Sequence, residues 1–577
     1  MADGHGVKPG SAEPRRIHVS GERVVFVALV VLVSGLSVVP MARLVLESIA
    51  PGGQFGTGVL HEVLGARSTW RATWHSLETA VGGTVVSVLL GGAFALLVAL
   101  TDIRGKRALV FCFLIPLMIP PQVTALSWVQ VLGPSSALLN TLGIAPPLGT
   151  PNPIYSREGI IVLLGIQHAP LVFLALRAGL RSMPREMVES ARAAGARHWR
   201  VLFTVVAPLM TPALVAGTAL AFISSVGNFG INAFIGIPAS YPVLPTLIYR
   251  RLAGFGPDVI SEVAVLSVII GVIAFTGVLI QGWMLRKRDY RTLGVPSQPL
   301  AYVLGGWRPV AETVCWAIIM LILVLPVTAL LATSLVSAYG VPLTSATATL
   351  DNYVEVMFRQ AVTIRAFSNS FMLAGAAALV LTVIAIPLAY FIVWRPSPVA
   401  RLLNLIAELP YALPGVVLAI ACILLFLKPI PIVHLTIYGT VWIIFVAYLG
   451  RFLTLALRPT ISGFHQLDRQ LEEAAQMAGA SYLYRLRTVL APLVAPIAVA
   501  GGLLVFMTAF NELTVSALLW SSGSETVGVV VFNLDDGGFT VLASAVAMLT
   551  VIAIVALMLA SSALSRWMPR GLLPWEA

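Results

Sequence analysis

ESARAAGARHWRVLFTVVAP, residues 189–208, and EAAQMAGASYLYRLRTVLAP, residues 473–492, decide how this chain is read. Glu189 and Glu473 stand 284 positions apart, and the same offset relates Gly195 to Gly479, Pro208 to Pro492 and Pro212 to Pro496. One unit has been duplicated. Immediately upstream, AGLRSMPREMVESA (178–191) answers SGFHQLDRQLEEAA (462–475). Further back, Pro116 and Pro120 of IPLMIPP answer Pro410 and Pro414 of LPYALPG at an offset of 294, so a loop differs in length between the copies.

Each copy encodes an elbow. From Pro184 or Asp468, both tolerated at a helix start, the residues up to Ala194 and Ala478 are good helix formers. Gly195 or Gly479 then supplies the left-handed conformation that ends the helix, and a second short helix follows. Small residues at Ala191, Ala474 and Ala475 allow another protein to approach closely, with Glu189 and Glu473 placed to pair with its basic groups. A competing reading is an amphipathic segment lying on anionic lipid, with Arg181, Arg185, Arg192, Arg197 and Arg200 as its solvated face. The second copy has fewer basic residues, and lipid binding requires neither the repeated Gly nor the repeated Glu.

Outward from the elbows the sequence is apolar. Hydrophobic residues make up 58% of the chain, charged residues only 11%, and the mean hydropathy is +0.92. About 20 apolar residues in a helix cross the hydrocarbon of a bilayer. Twelve such spans are predicted, at 24–46, 77–101, 108–132, 158–180, 203–226, 259–285, 310–334, 369–394, 402–427, 436–459, 488–510 and 539–564. The predicted fold is an all-α polytopic membrane protein. Six spans per half return the chain to its starting side, so the repeats at 24–285 and 310–564 are parallel, and the two elbows (about 181–208 and 465–492) face one compartment. A polar linker, 286–309, joins them. Placing the tail 1–23 in the cytoplasm assigns 27 of the 36 Lys and Arg to that side and 9 to the other, which predicts cytoplasmic termini, with a second tail at 565–577. The first apolar run exceeds a cleavable signal core and reads as an uncleaved span.

Several classes of function fall away. The net charge of +11 belongs to membrane topology and lipid headgroups, because no basic, aromatic-interleaved soluble domain exists to bind nucleic acid. Cys112, Cys315 and Cys422 lie in apolar spans at spacings that match no metal site, so no metal or other cofactor is expected and the three read as packing residues. No GxxxxGK[ST] phosphate loop occurs; the one Gly-Lys pair, Gly105-Lys106, continues with Arg107. Neither HExxH nor G-x-S-x-G is present. The chain reads as a transport subunit without an ATPase site of its own.

The elbow resembles the cytoplasmic EAA loop of permeases in ABC importers, located as in that family between the fourth and fifth spans of each half. Copy one departs by Ser190 in place of Ala. The resemblance covers nearly the whole chain and implies the type I ABC importer transmembrane fold. Its further implications are two copies of a cytoplasmic ATPase subunit beneath the bilayer, and a periplasmic or lipid-anchored solute-binding protein above it. Glu189, Ala191, Gly195, Pro208, Glu473, Ala474, Ala475, Gly479 and Pro492 would form the coupling surface. One-chain permeases of this size resemble the group serving ferric iron, thiamine, 2-aminoethylphosphonate and polyamine-like solutes, with ferric iron first, in the bacterial inner membrane. The rival class is a twelve-span secondary transporter, which shares the hydropathy and finds an echo in Asp102-Ile103-Arg104-Gly105-Lys106-Arg107.

For the path itself, Asn228 and Glu512 align at the offset of 284 just beyond the fifth and eleventh spans, with Asn511 adjacent. Glu408 is an ionisable residue inside an apolar run, a place where function is the default reading. His168 lacks companions for a ligand cluster and is expected to make a helix–helix hydrogen bond. Pro116, Pro120, Pro410 and Pro414 are expected to kink or interrupt their spans.

Overall fold

The computed structural model describes residues 21–564 apart from 182, 184, 257, 287–301, 430–433 and 435. The two predicted tails and most of the linker lie outside these residues, as does Pro184. All twelve predicted spans correspond to helices. The first half comprises Gly21–Ile49, Arg67–Leu100, a broken third span, Arg157–Arg181, Trp199–Val226 and Val259–Arg286. The second comprises Gly305–Ser334, Ala361–Trp394, a broken ninth span, Val441–Gln466, Tyr482–Phe510 and Thr540–Ala563. The helices overrun the predicted edges, because hydropathy marks only the part that needs hydrocarbon while the backbone ladder continues beyond it.

The third and ninth spans are each two limbs. Lys106–Met118 turns through 101° into Pro121–Thr141, and Pro398–Ala412 turns through 106° into the limb ending at Phe426. The breaks fall at Pro120 and Pro414, 294 positions apart, and both prolines have extended ψ of 139°. Pro116 and Pro410 lie within their helices and break neither. The connection 133–156 is ten residues longer than its counterpart 427–440, which accounts for the change in repeat offset from 294 to 284. Part of the extra length forms a short helix, Ala137–Thr141, capped by the Ser136 side chain.

Where spans cross, small residues set the distance. A Cβ built on Gly91 of the second span would lie 2.2 Å from the Ala169 carbonyl oxygen of the fourth, and one on Gly165 would lie 2.3 Å from Val86. Ser87 Oγ donates to the Gly165 carbonyl at 2.9 Å in the same contact. Lipid tails give helices no hydrophobic reason to associate, so close backbone approach and such hydrogen bonds carry the packing. His168 meets its expectation, with Nδ1 2.9 Å from Ser225 Oγ on the fifth span.

The halves interlock. The first span packs on both limbs of the broken ninth span, and the seventh packs on the second limb of the third. On the elbow face, two polar ties accompany this exchange. Asp102, after the second span, accepts the Leu304 N–H at 3.0 Å and faces Arg308 of the seventh span at 3.7 Å. That backbone hydrogen bond is the main cause holding the Asp102 carboxyl below its usual range. In the second half Arg395, after the eighth span, donates through Nε to Glu22 of the first span at 3.1 Å.

Candidate coupling elbows and transport path

Both elbows have the predicted geometry. The first is the helix Arg185–Ala193, closed by Gly195 at φ +82°; the second is Gln470–Met477, closed by Gly479 at φ +80°. Gly195 N–H donates to the Arg192 carbonyl at 2.9 Å and Ala196 N–H to Ala191 at 3.1 Å. Gly479 repeats the first bond to Gln476 at 2.9 Å and Ala480 the second to Ala475 at 3.1 Å. This is a Schellman closure, and its left-handed residue is where glycine avoids the Cβ penalty. At the second start, Asp468 Oδ1 accepts the Gln470 N–H at 2.9 Å. Beyond each elbow the chain re-enters a long helix through one wide turn, Leu202–Val206 and Leu486–Leu490, followed by Pro208 and Pro492.

The side chains predicted to meet a partner lie at the surface. Glu189, Glu473 and Ala474 are exposed, while Ala191 and Ala475 are half-buried. Large apolar groups accompany them: Trp199 is 72% exposed and Phe203 67% in the first elbow, and Met477 is 89% exposed in the second.

At the ends of the fifth and eleventh spans farthest from the elbows, the halves touch in matched pairs. Gly227 lies against Pro414, where a Cβ would come within 2.9 Å of the proline ring. Asn511, 284 positions later, donates to the Met118 carbonyl beside Pro120 at 2.6 Å. Each half thus sets the residue after its fifth or eleventh span on the break of the opposite half's bent span.

Asn228 and Glu512, the predicted path residues, are both buried and cap equivalent turns. Asn228 Oδ1 accepts the Ile231 N–H at 2.9 Å, and the Glu512 carboxylate accepts Val515 N–H at 2.9 Å and Ser516 N–H at 3.2 Å. Glu408 stands apart from them. It pairs with Arg458 on the tenth span, two helical turns beyond Arg451.

Sequence reasoning passed over three further polar residues. Gln167 on the fourth span donates through Nε2 to the Pro116 and Ile119 carbonyls at 2.9 and 3.1 Å, satisfying acceptors left at the break of the third span. Arg451, at the offset of 284, lies flat on Gly415 at the break of the ninth, where a Cβ would meet its guanidinium at 2.5 Å. Gln122 sits between Gly230 and Gly528, and a Cβ on either would come within 3.0 Å of it. Arg451 was visible as a charge inside an apolar run, the same signal that singled out Glu408. Among the described residues no group of three or more His, Cys, Asp or Glu could hold a metal ion.

Comparison with known proteins agrees with this architecture. A family model described as "Binding-protein-dependent transport system inner membrane component" matches twice, at 87–289 and 381–573. Over 82% of the chain and 83% of the relative, 26% of residues are identical to a probable ABC transporter permease protein, y4fN, of Sinorhizobium fredii. A ferric transport system permease protein, FbpB, of Actinobacillus pleuropneumoniae is 24% identical over 89% of this chain and 74% of its own. The molybdenum transport system permease protein ModB of Escherichia coli is 29% identical, covering 38% of this chain but 93% of itself, as a single-repeat relative would. Two matches on parallel six-span halves leave no place for the secondary-transporter reading, and the chain belongs to the binding-protein-dependent transport system inner membrane component family as a fused two-repeat permease of the ABC importer kind.

Proposed function

We propose that this chain forms the translocation path of an ABC importer in the bacterial inner membrane, taking a small solute from a periplasmic or lipid-anchored binding protein. Two copies of a separate cytoplasmic ATPase subunit drive it, one seated on each elbow. The observation that carries the reading is the elbow itself, repeated at 284 positions with the same Schellman closure and an exposed Glu at the same place. Glu189, Ala191, Gly195 and Pro208 form one docking surface; Glu473, Ala474, Ala475, Gly479 and Pro492 form the other. ATPase closure swings the elbows together and opens the path outward, and hydrolysis returns it inward.

The path runs between the halves, past Asn228, Asn511 and Glu512 where each half rests on the other's broken span, and past Glu408 toward the elbow face. Broken spans suit a conduit because backbone groups freed at the bend can be hydrated only inside the protein. Ferric iron is the first cargo, on the strength of relatives whose names are ferric transport permeases; relatives named for molybdenum and 2-aminoethylphosphonate stand as alternatives, with thiamine and polyamine further off. Binding measurements on the cognate binding protein with Fe(III), molybdate, thiamine and a phosphonate decide among them. Cysteines at Glu189 and Glu473 should cross-link to the ATPase subunit, and purified chain alone should hydrolyse no ATP. Absence of both cross-links would remove the coupling assignment.

A further inference from the structure

The two elbows have the same backbone but are seated differently. Glu472, next to the exposed Glu473, points inward and is only 1% exposed. Its Oε1 accepts hydrogen bonds from Tyr390 Oη at 2.7 Å and Arg395 Nη2 at 3.0 Å, and lies 3.5 Å from Arg485 Nη2. Arg485 also donates to the Ala480 carbonyl at 2.9 Å, bracing the residue that follows Gly479. Arg395 also donates through Nε to Glu22, at the start of the first span. The cluster therefore joins the second elbow, the end of the eighth span and the first span of the opposite half.

Among the described residues, the places in the first elbow that match Glu472 and Arg485 carry no charge. Val188 and Val201 stand 284 positions before Glu472 and Arg485, and both are buried. The Arg192 guanidinium of this elbow lies 5.9 Å from the Tyr302 ring. An apolar seat is non-directional and tolerates sliding; a buried ion cluster fixes angles, and breaking it leaves uncompensated charge. Among the described residues, Glu472 Oε2 and Arg485 Nε are buried without a hydrogen-bond partner.

We propose that Glu472 is a positioning residue that locks the second elbow to the first span, so that motion of this elbow passes directly into the opposite half. The first elbow, on its apolar seat, transmits less directly, and the two ATPase sites are mechanically unequal. This rests on the reading of the elbows as ATPase docking sites.

The test uses the full chain assembled with its ATPase subunits and reconstituted with the binding protein in sealed proteoliposomes. Glu472→Gln keeps the size and removes the charge. Amide hydrogen exchange in 470–477 should rise about tenfold while 185–193 stays unchanged, because only the second elbow loses its lock. Transport per ATP hydrolysed should fall about fivefold with ATPase co-purification intact, a split that simple misfolding would not produce. Tyr390→Phe, which deletes one hydroxyl, should move both readouts the same way by a smaller factor, and serves if the Gln variant does not fold. Unchanged exchange in both variants, or a loosened elbow with unaltered transport per ATP, overturns the proposal. Failure of the ATPase to co-purify with unsubstituted chain would count against the docking reading and leave the exchange comparison standing.

Discussion

Arg451 Nε lies 4.0 Å from Glu512 Oε1, and 284 positions earlier the same two places hold Gln167 and Asn228. A charged pair in one half thus replaces an amide pair in the other, at equivalent bends. Glu512→Ala strips two backbone N–H groups of their acceptor and leaves Arg451 without its counter-charge, whereas Asn228→Ala frees a single N–H. Losses of about 3 and 1 kcal/mol of stability are expected respectively, as falls in Tm of detergent-purified protein. The double variant Arg451→Gln with Glu512→Asn copies the first half and should recover most of the Glu512→Ala loss. No recovery would mean that the two sites are not equivalent.

Gly195 and Gly479 sit at positive φ with nothing within 4 Å of a built Cβ. The cost of a side chain there comes from the backbone alone, about 1–2 kcal/mol for a β-branched residue, and asparagine escapes most of it. Gly479→Val should therefore abolish most transport while Gly479→Asn retains it. Equal damage by Val and Asn would point to a steric role at the docked surface instead.

Gly91 faces the opposite situation, with the Ala169 carbonyl oxygen 2.2 Å from a built Cβ. A backbone atom cannot rotate away, so Gly91→Ala should cost about 1–3 kcal/mol by forcing the second and fourth spans apart. Gly35→Ala, with open space around it, is the control and should leave Tm unchanged.

Topology gives a labelling test. Cysteines at Gly195 and Gly479 should react with impermeant reagents from the cytoplasmic side, and one at Gly523 from the outside only. Labelling of Gly195 and Gly479 from opposite sides would refute the parallel repeat.

The spans and elbows were legible because their signals are local. Hydrocarbon thickness sets a length, and a helix that must end between the same small residues needs Gly at one position. The bends at Pro120 and Pro414 were half legible: proline marks both breaks, but Pro116 and Pro410, equally conspicuous, stay helical because bundle packing can absorb a lost hydrogen bond. Gln167, Gln122 and Glu472 were not legible. Each draws its meaning from a residue far away in sequence, such as the 82 positions that separate Tyr390 from Glu472. Glu472 was also masked by its neighbour, since the motif directs attention to Glu473 while the helix turns the preceding carboxylate inward.

The ties across the elbow face join Asp102 to Arg308 and Arg395 to Glu22. Each fastens the loop after one half's second helix to the opening of the other half's first helix, with the signs exchanged. Two copies of the first half set face to face would bring Asp102 toward Glu22, acid against acid. Two copies of the second would bring Arg395 toward Arg308, base against base. Halves alike enough to pair with themselves thus meet repulsion when they do, and attraction only as opposites. The fused chain thus carries complementary signs on its duplicated halves at this face, which favours the mixed pairing over either half with itself.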